Sequence, residues 1–228
     1  MIMVGIIGAM KVETDGMIAL LSDKKEETVS GITYVSGKLG RTEVVVAKSG
    51  VGKVFAAMCA QTMILKYHPA CIVNMGVAGT LRDDLKVCDL VIADKVMQYD
   101  MDTSAIGDIK GMVSGVEMIY FPCDPSLQRR FAEAAKEEGV NSVSGTVASG
   151  DQFLADPVKK KEIVTEFGAS ACEMEGGAIG QVCFVNHVPF GVLRFISDGG
   201  SDDAKMDYAT FRDIAAAASI RLVKRVFE

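Results

Sequence analysis

Closely spaced metal ligands are missing from this 228-residue chain. Its six cysteines, Cys59, Cys71, Cys88, Cys123, Cys172 and Cys183, form no C-x-x-C pair, and its two histidines, His68 and His187, lie far apart. A zinc site is built from such pairs, so no metal is expected. Long apolar runs are missing as well. None reaches the roughly 20 residues of a membrane-spanning helix. The opening run is interrupted by glycines and leads into Lys11 and Glu13, which is not the pattern of a cleaved leader. Nor is there an excess of positive charge. Lysine and arginine total 24 against 30 acidic residues, a net charge of −6, which argues against nucleic acid or an anionic membrane as the main partner. The densest basic cluster, Lys159-Lys160-Lys161, reads as one solvated helix face. Most cysteines sit in apolar runs, as buried thiols do in a reducing compartment, and a cytoplasmic location is expected.

Complete nucleotide fingerprints are also absent. Gly50-Val51-Gly52-Lys53 resembles a phosphate loop, but the first glycine position holds Ala47 and the magnesium-binding hydroxyl position holds Val54. The turn reads as a glycine entry into a helix. Gly5-x-x-Gly8 lacks the rest of a dinucleotide motif, so no cofactor is expected.

What the chain does have is apolar substance, 49% of its residues, enough for a sizeable core in one α/β domain spanning residues 1–228. No repeat, low-complexity tract or linker divides it. Residues 2 to 8 form a continuous apolar run, the pattern of a strand buried on both faces. A helix follows over residues 12 to 22. Strand-like runs at 28 to 36 and 43 to 48 flank a hairpin turn at Gly40-Arg41. A long helix opens at Lys53 and stops near His68, before Pro69. Further strands are expected at 71 to 75, 87 to 97, 141 to 149, 169 to 174 and 190 to 196, with helices from Pro125, from Pro157 behind the cap Asp156, after Met174 and from the cap Asp207. Residues 98 to 115, rich in glycine and aspartate, read as a functional loop. The alternation implies a central, mostly parallel mixed β-sheet flanked by helices on both faces. Strand ends at Met10, Gly76, Gly150, Met174 and Asp198 should gather along one sheet edge, where such folds bind ligands.

Three carboxylates stand at those ends: Glu13, Glu175 and Asp198. Glu13 also suits an ordinary first-turn helix acid. Glu173 and Glu175 are two apart, so in an extended segment they face opposite ways. Arg194 and Asp198 could form a plain buried ion pair, which costs desolvation and rarely repays it, so a polar group retained after an apolar run hints at function. Gly5-Ile6-Ile7-Gly8-Ala9-Met10 followed by Glu13, then Ser149-Gly150-Asp151-Gln152-Phe153, Glu173-Met174-Glu175-Gly176 and Arg194-Phe195-Ile196-Ser197-Asp198 appear in one order and spacing. Together they resemble the 5′-methylthioadenosine/S-adenosylhomocysteine nucleosidases of the purine nucleoside phosphorylase superfamily, over nearly the whole chain.

That resemblance implies a nucleoside phosphorylase/hydrolase-like fold and hydrolysis of an N-glycosidic bond without a cofactor. Asp198 matches the general acid that protonates adenine at N7, with Ser197 holding the carboxyl and the base edge. Glu13 matches the base that takes a proton from water, with Arg194 placing that water. Glu175 matches the ribose-diol carboxylate, with Met174 against the sugar. Phe153 matches the adenine stack and Leu154 the backbone that reads the base edge. Met10, Ile106 and Tyr208 match positions near the sugar and the 5′-thio group. A homodimer is implied, in which the 98 to 115 loop reaches the neighbouring site. Val77 stands where many relatives carry serine, and Tyr208 where well-known members carry phenylalanine, which bears on substrate preference. A purine nucleoside phosphorylase, an aminofutalosine hydrolase and a non-catalytic nucleoside binder share the scaffold. Val77 and Glu13 disfavour phosphate, and retention of both Glu13 and Asp198 disfavours the binder.

Overall fold

A computed structural model describes residues 3–198 and 204–228. Its strands are β1 (Met3–Gly8), β2 (Ser22–Val29), β3 (Ile32–Leu39), β4 (Thr42–Lys48), β5 (Cys71–Thr80), β6 (Leu90–Gln98), β7 (Phe121–Pro122), β8 (Ser142–Ser149), β9 (Ala169–Glu173) and β10 (Phe190–Asp198). The helices are α1 (Lys11–Leu20), α2 (Lys53–Tyr67), α3 (Pro125–Glu137), α4 (Pro157–Phe167), α5 (Gly176–Val185) and α6 (Ala204–Phe227). Among the described residues the strands make one mixed sheet. β4, β1, β5 and β10 run parallel in that order, as do β6, β8 and β9, and antiparallel pairings join the two blocks.

The expected open sheet is partly closed. β5 pairs with β10 on one side and, through Gly79↔Cys172 and Thr80↔Ala171, with β9 on the other. Since β10 also pairs with β6, the strands β5, β10, β6, β8 and β9 form a ring. Closure brings the C-terminal ends of β5, β9 and β10 to one place.

Helices cover both faces, as the alternation implies. On one, Ala56, Cys59, Ala60 and Met63 of α2 and Ile179 and Cys183 of α5 pack on Ile7, Val45 and Ile72. On the other, Met17 of α1, Leu127 and Phe131 of α3, and Ala215 and Leu222 of α6 pack on Ile6, Val73 and Phe195. The expected cap of α4 is present: Asp156 Oδ1 accepts from the Val158 amide at 2.9 Å. All six cysteines are unpaired, four of them buried.

Four expectations need correction. The segment Ser22–Val29 (SDKKEETV) forms an edge strand, almost wholly exposed and paired only with β3. It carries no apolar alternation, and charge is what keeps an edge from pairing further. The run at 71 to 75 continues as strand to Thr80 through Gly76–Gly79, because β10 pairs with it along that length. α6 begins at Ala204, so Asp207 lies inside the helix instead of capping it, and its side chain falls outside the described residues. Lys160 is buried while its neighbours Lys159 and Lys161 are exposed, since it shares the inner face of α4 with Ile163 and Phe167. The irregular segment expected at 98 to 115 runs from 99 to 120, since Gln98 ends β6, and it holds one 3₁₀ turn at Ser104–Ile106.

Candidate active site

Where β5, β9 and β10 end, an open cleft holds about 580 Å³ of empty space, counting the solvent at its mouth. Met10, Glu13, Val77, Phe153, Leu154, Met174, Glu175, Ser197, Asp198 and Tyr208 all line it. Residues from both ends of the chain thus meet in one place.

Glu13 is built in by its backbone. Its Oε2 accepts from the amides of Ala9 at 2.7 Å and Met10 at 2.9 Å, capping α1, and its Oε1 accepts from the Val77 amide at 3.1 Å. It is more than an N-terminal helix acid, because it is 3% exposed and lines the cleft. Burial raises its pKa above the ordinary carboxylate range, against the pull of Arg194 and of those amides. A carboxylate so raised is a better proton acceptor. The contact from Val77 is a main-chain one, so a missing serine hydroxyl there leaves it intact. A side chain at Gly76 would not: its Cβ would lie 2.5 Å from Glu13 Oε1.

Asp198, also 3% exposed, owes its position to an irregularity in β10. Ile196 pairs with Ala78 and Asp198 with Gly79, leaving Ser197 as an extra residue between them. Such a bulge re-aims side chains at a strand end. Ser197 Oγ then donates to Asp198 Oδ1 at 2.9 Å. Gly79 makes room for the carboxyl, since a Cβ there would meet Asp198 Oδ2 at 2.8 Å.

The two glutamates of β9 and α5 divide their work. Glu173 is spent internally: it takes Arg194 in an ion pair, the Ser149 hydroxyl, and the amides of Glu175 at 3.0 Å and Gly176 at 2.7 Å. Glu175 lines the cleft, and its Oε1 accepts from the Gly52 amide at 2.9 Å. Burial, then the nearby Glu173, pushes its pKa up to about 8.

Two expected residues do not line the cleft. Arg194, 1% exposed, lies beneath it, donating to Glu173, Asn74 and the Leu193 carbonyl. It reaches the site through Glu173 and the field it exerts on Glu13 and Glu175. Ile106 is 83% exposed on its 3₁₀ turn. Phe153 and Tyr208 meet edge to face with centroids 5.5 Å apart, and the Tyr208 hydroxyl points inward, donating to Met10 Sδ at 3.2 Å.

The cleft also takes in Ala9, Val51, Ala78, Gly79, Gln152, Cys172 and Glu173, which the sequence reading did not select. Gln152 lies within the quoted Ser149–Phe153 string. Val51 sits in the glycine turn read as purely structural. Burial pushes the Cys172 thiol up to about 12, so it is inert as a nucleophile.

The raised pKa of Glu175 has a consequence for stability. Its folded value of about 8 lies above the ordinary 4.5, so the folded state binds the extra proton. Stability from this group is full below about 4.5 and is lost as pH rises through about 8. Glu175→Gln cannot ionise. Its melting temperature should therefore fall less than that of the wild type between pH 5 and pH 8. Thermal melts across that range check this; parallel curves for the two proteins would refute it.

The chain matches the phosphorylase superfamily over residues 3–228. The 5′-methylthioadenosine/S-adenosylhomocysteine nucleosidase of Shewanella sp. strain MR-7 is 36% identical over 227 residues, 99% of this chain and 96% of that protein. The corresponding enzyme of Shewanella pealeana is 38% identical over 207 residues, covering 90% of each. Among solved structures, the futalosine hydrolase of Helicobacter pylori strain 26695 superposes with a TM-score of 0.94 at 34% identity, covering 99% of this chain and 97% of that one. The S-adenosylhomocysteine nucleosidase of Streptococcus pyogenes, in complex with 5-methylthiotubericidin, superposes with a TM-score of 0.94 at 34% identity, covering 99% of this chain and 95% of that one. With full-length identity of this order joined to the cleft just described, the chain belongs to the 5′-methylthioadenosine/S-adenosylhomocysteine nucleosidase family of the phosphorylase superfamily.

Proposed function

We propose that this protein, acting as one domain of residues 1–228, hydrolyses the N-glycosidic bond of 5′-methylthioadenosine and S-adenosylhomocysteine. Adenine and the thioribose product are released. The observation that carries this reading is the presence of two buried carboxyl groups, Glu13 and Asp198, in one cleft.

Adenine leaves poorly as an anion. In this reading Asp198 gives its proton to N7 as the C1′–N9 bond breaks and its electron pair passes to the base. The ribose then becomes an oxocarbenium-like cation, stabilised by the carboxylates around it. A water adds its oxygen to C1′ and loses a proton to Glu13. Glu175 accepts the ribose hydroxyls, Met174 packs on the sugar, Phe153 stacks on adenine, and Leu154 presents backbone to its edge. The acid and the base are assigned to opposite sides of the sugar, as in an inverting glycosidase, and they have separate seats on β5. Glu13 stands over Gly76 and Asp198 over Gly79, positions about 10 Å apart by strand rise. Arg194 acts as a positioning residue through Glu173.

Aminofutalosine is a second substrate these same groups would serve. The inward hydroxyl of Tyr208 favours it, placing a polar group among the residues assigned to the 5′ end. The defining experiment is adenine release from 5′-methylthioadenosine in phosphate-free buffer, with aminofutalosine and inosine in parallel. Strict dependence on phosphate, with ribose 1-phosphate as product, would refute hydrolysis. Asp198→Asn should lower kcat by about 10²-fold or more while binding of a nucleoside analogue changes little. Near-normal turnover in that variant would remove Asp198 from the role.

The working unit in this reading is a cytoplasmic homodimer. Six unpaired cysteines support a reducing compartment. Val51, Val54, Phe55 and Met58 form an exposed apolar patch beside the cleft, and Ile106 projects into solvent from the loop assigned to the neighbouring site. Covering both would complete the 5′ end. Sedimentation should find a dimer at assay concentration; a fully active monomer would overturn this.

A further inference from the structure

The Gly50–Lys53 turn is no phosphate loop, and the chemistry above leaves its lysine without a task. In the fold that lysine closes a ring of bonds. Lys53 Nζ donates to Asp100 Oδ1 at 2.5 Å, the Asp151 amide donates to Asp100 Oδ2 at 3.0 Å, and the Lys53 amide donates to Asp151 Oδ1 at 2.8 Å. Three segments meet there: the start of α2 and the stretches that follow β6 and β8. Each leads directly to the substrate. One residue before Lys53, the Gly52 amide holds Glu175 Oε1, and Val51 lines the cleft. Directly after Asp151, Gln152 and Phe153 line it. Asp100 opens the irregular segment that carries Ile106.

We propose that the Lys53–Asp100–Asp151 ring is a positioning clasp that fixes the distance between the ribose carboxylate Glu175 and the base-facing Phe153. It rests on the nucleosidase reading and assigns its substrate spacing to three residues that do not touch the nucleoside. The Lys53 side chain is 18% exposed and that of Asp100 26%, so the pair is partly shielded from solvent and still responsive to salt. Without the clasp the turn before α2 and the Asp151–Phe153 segment would move independently. Each would then be ordered only when substrate arrives, a cost that falls on binding before it falls on the chemical step. A simple brace would instead change stability and leave the affinity of folded protein alone.

The test compares Lys53→Met, Asp100→Asn, their combination and Lys53→Arg. Readouts are kcat and KM for 5′-methylthioadenosine and Kd for adenine, each in low and high salt. Each single variant should raise KM and Kd about tenfold with kcat within about twofold. The double variant should be no worse than the worse single, because both break one interaction. Lys53→Arg should restore KM to within about threefold of wild type. Wild-type KM should rise from about 0.05 M to about 0.5 M salt, while that of Lys53→Met stays flat. KM and Kd within twofold of wild type in the singles, or a fall in melting temperature alone, would overturn the clasp. Should Lys53→Met not fold, Asp100→Asn and the wild-type salt series decide. A wild type that releases no adenine would sink the nucleosidase reading, whereas the adenine Kd values would still judge the clasp.

Discussion

Everything at the cleft leans on a buried ion pair. Arg194 of β10 and Glu173 of β9 are both almost wholly excluded from solvent, and each is bonded well beyond the other. Desolvating two charges costs several kcal/mol per ion, and their attraction offsets it only if the remaining donors and acceptors are met. Here they are. Asn74 and the Leu193 carbonyl take the guanidinium, while Ser149 and the first amides around α5 take the carboxylate. Five elements, β5, β8, β9, β10 and α5, are thereby held in one arrangement. Removing one partner of such a pair typically costs about 3–5 kcal/mol. Both glutamates line the cleft, but the oxygens of Glu173 are committed to this network, whereas Glu175 Oε1 accepts from the Gly52 amide.

The charge balance of the site follows from the same network. Glu13, Glu173 and Glu175 all interact with Arg194, so acids outnumber the cation at their centre. Burial raises the pKa of Glu13, and burial followed by the neighbouring Glu173 raises that of Glu175. Such a cluster of acids suits a sugar that becomes cationic as its bond breaks, because a developing positive charge favours their ionised forms. It is also a poor place for phosphate. The electrostatic preference for water over an anionic nucleophile therefore belongs to the whole cluster, beyond the single position of Val77.

Much of this was legible in the chain. Continuous apolar runs marked the buried strands, Pro69 and Asp156-Pro157 marked helix ends, and the quoted strings located most of the cleft. What escaped has physical reasons. β2 lacks apolar alternation because an edge strand with exposed faces needs none. Closure of the sheet rests on two residue pairs between β5 and β9, too few to leave a pattern. The bulge at Ser197 depends on the register of β10 against β5, which no local composition encodes. Lys160 was grouped with its neighbours by charge, whereas its helix phase places it with Ile163 and Phe167. The pairing of Arg194 with Asp198 suggested by their closeness in sequence gives way to one with Glu173 of β9, because the tertiary fold brings that carboxylate to the guanidinium.

The glycines of β5 show most plainly how function is written into positions that look merely structural. Gly76-Val77-Ala78-Gly79 lies beyond the strand expected at 71 to 75, yet it is strand throughout, paired with β10. Conformational freedom is therefore not what these glycines supply. Their contribution is the missing Cβ: over Gly76 stands the carboxylate of Glu13, and over Gly79 that of Asp198. A methyl group at either place would displace a carboxyl oxygen by close contact, at 2.5 Å and 2.8 Å respectively. Between them Val77 offers its amide to Glu13. One short stretch of strand thus lies under both the base and the acid assigned to catalysis, and the space left by its two glycines admits them.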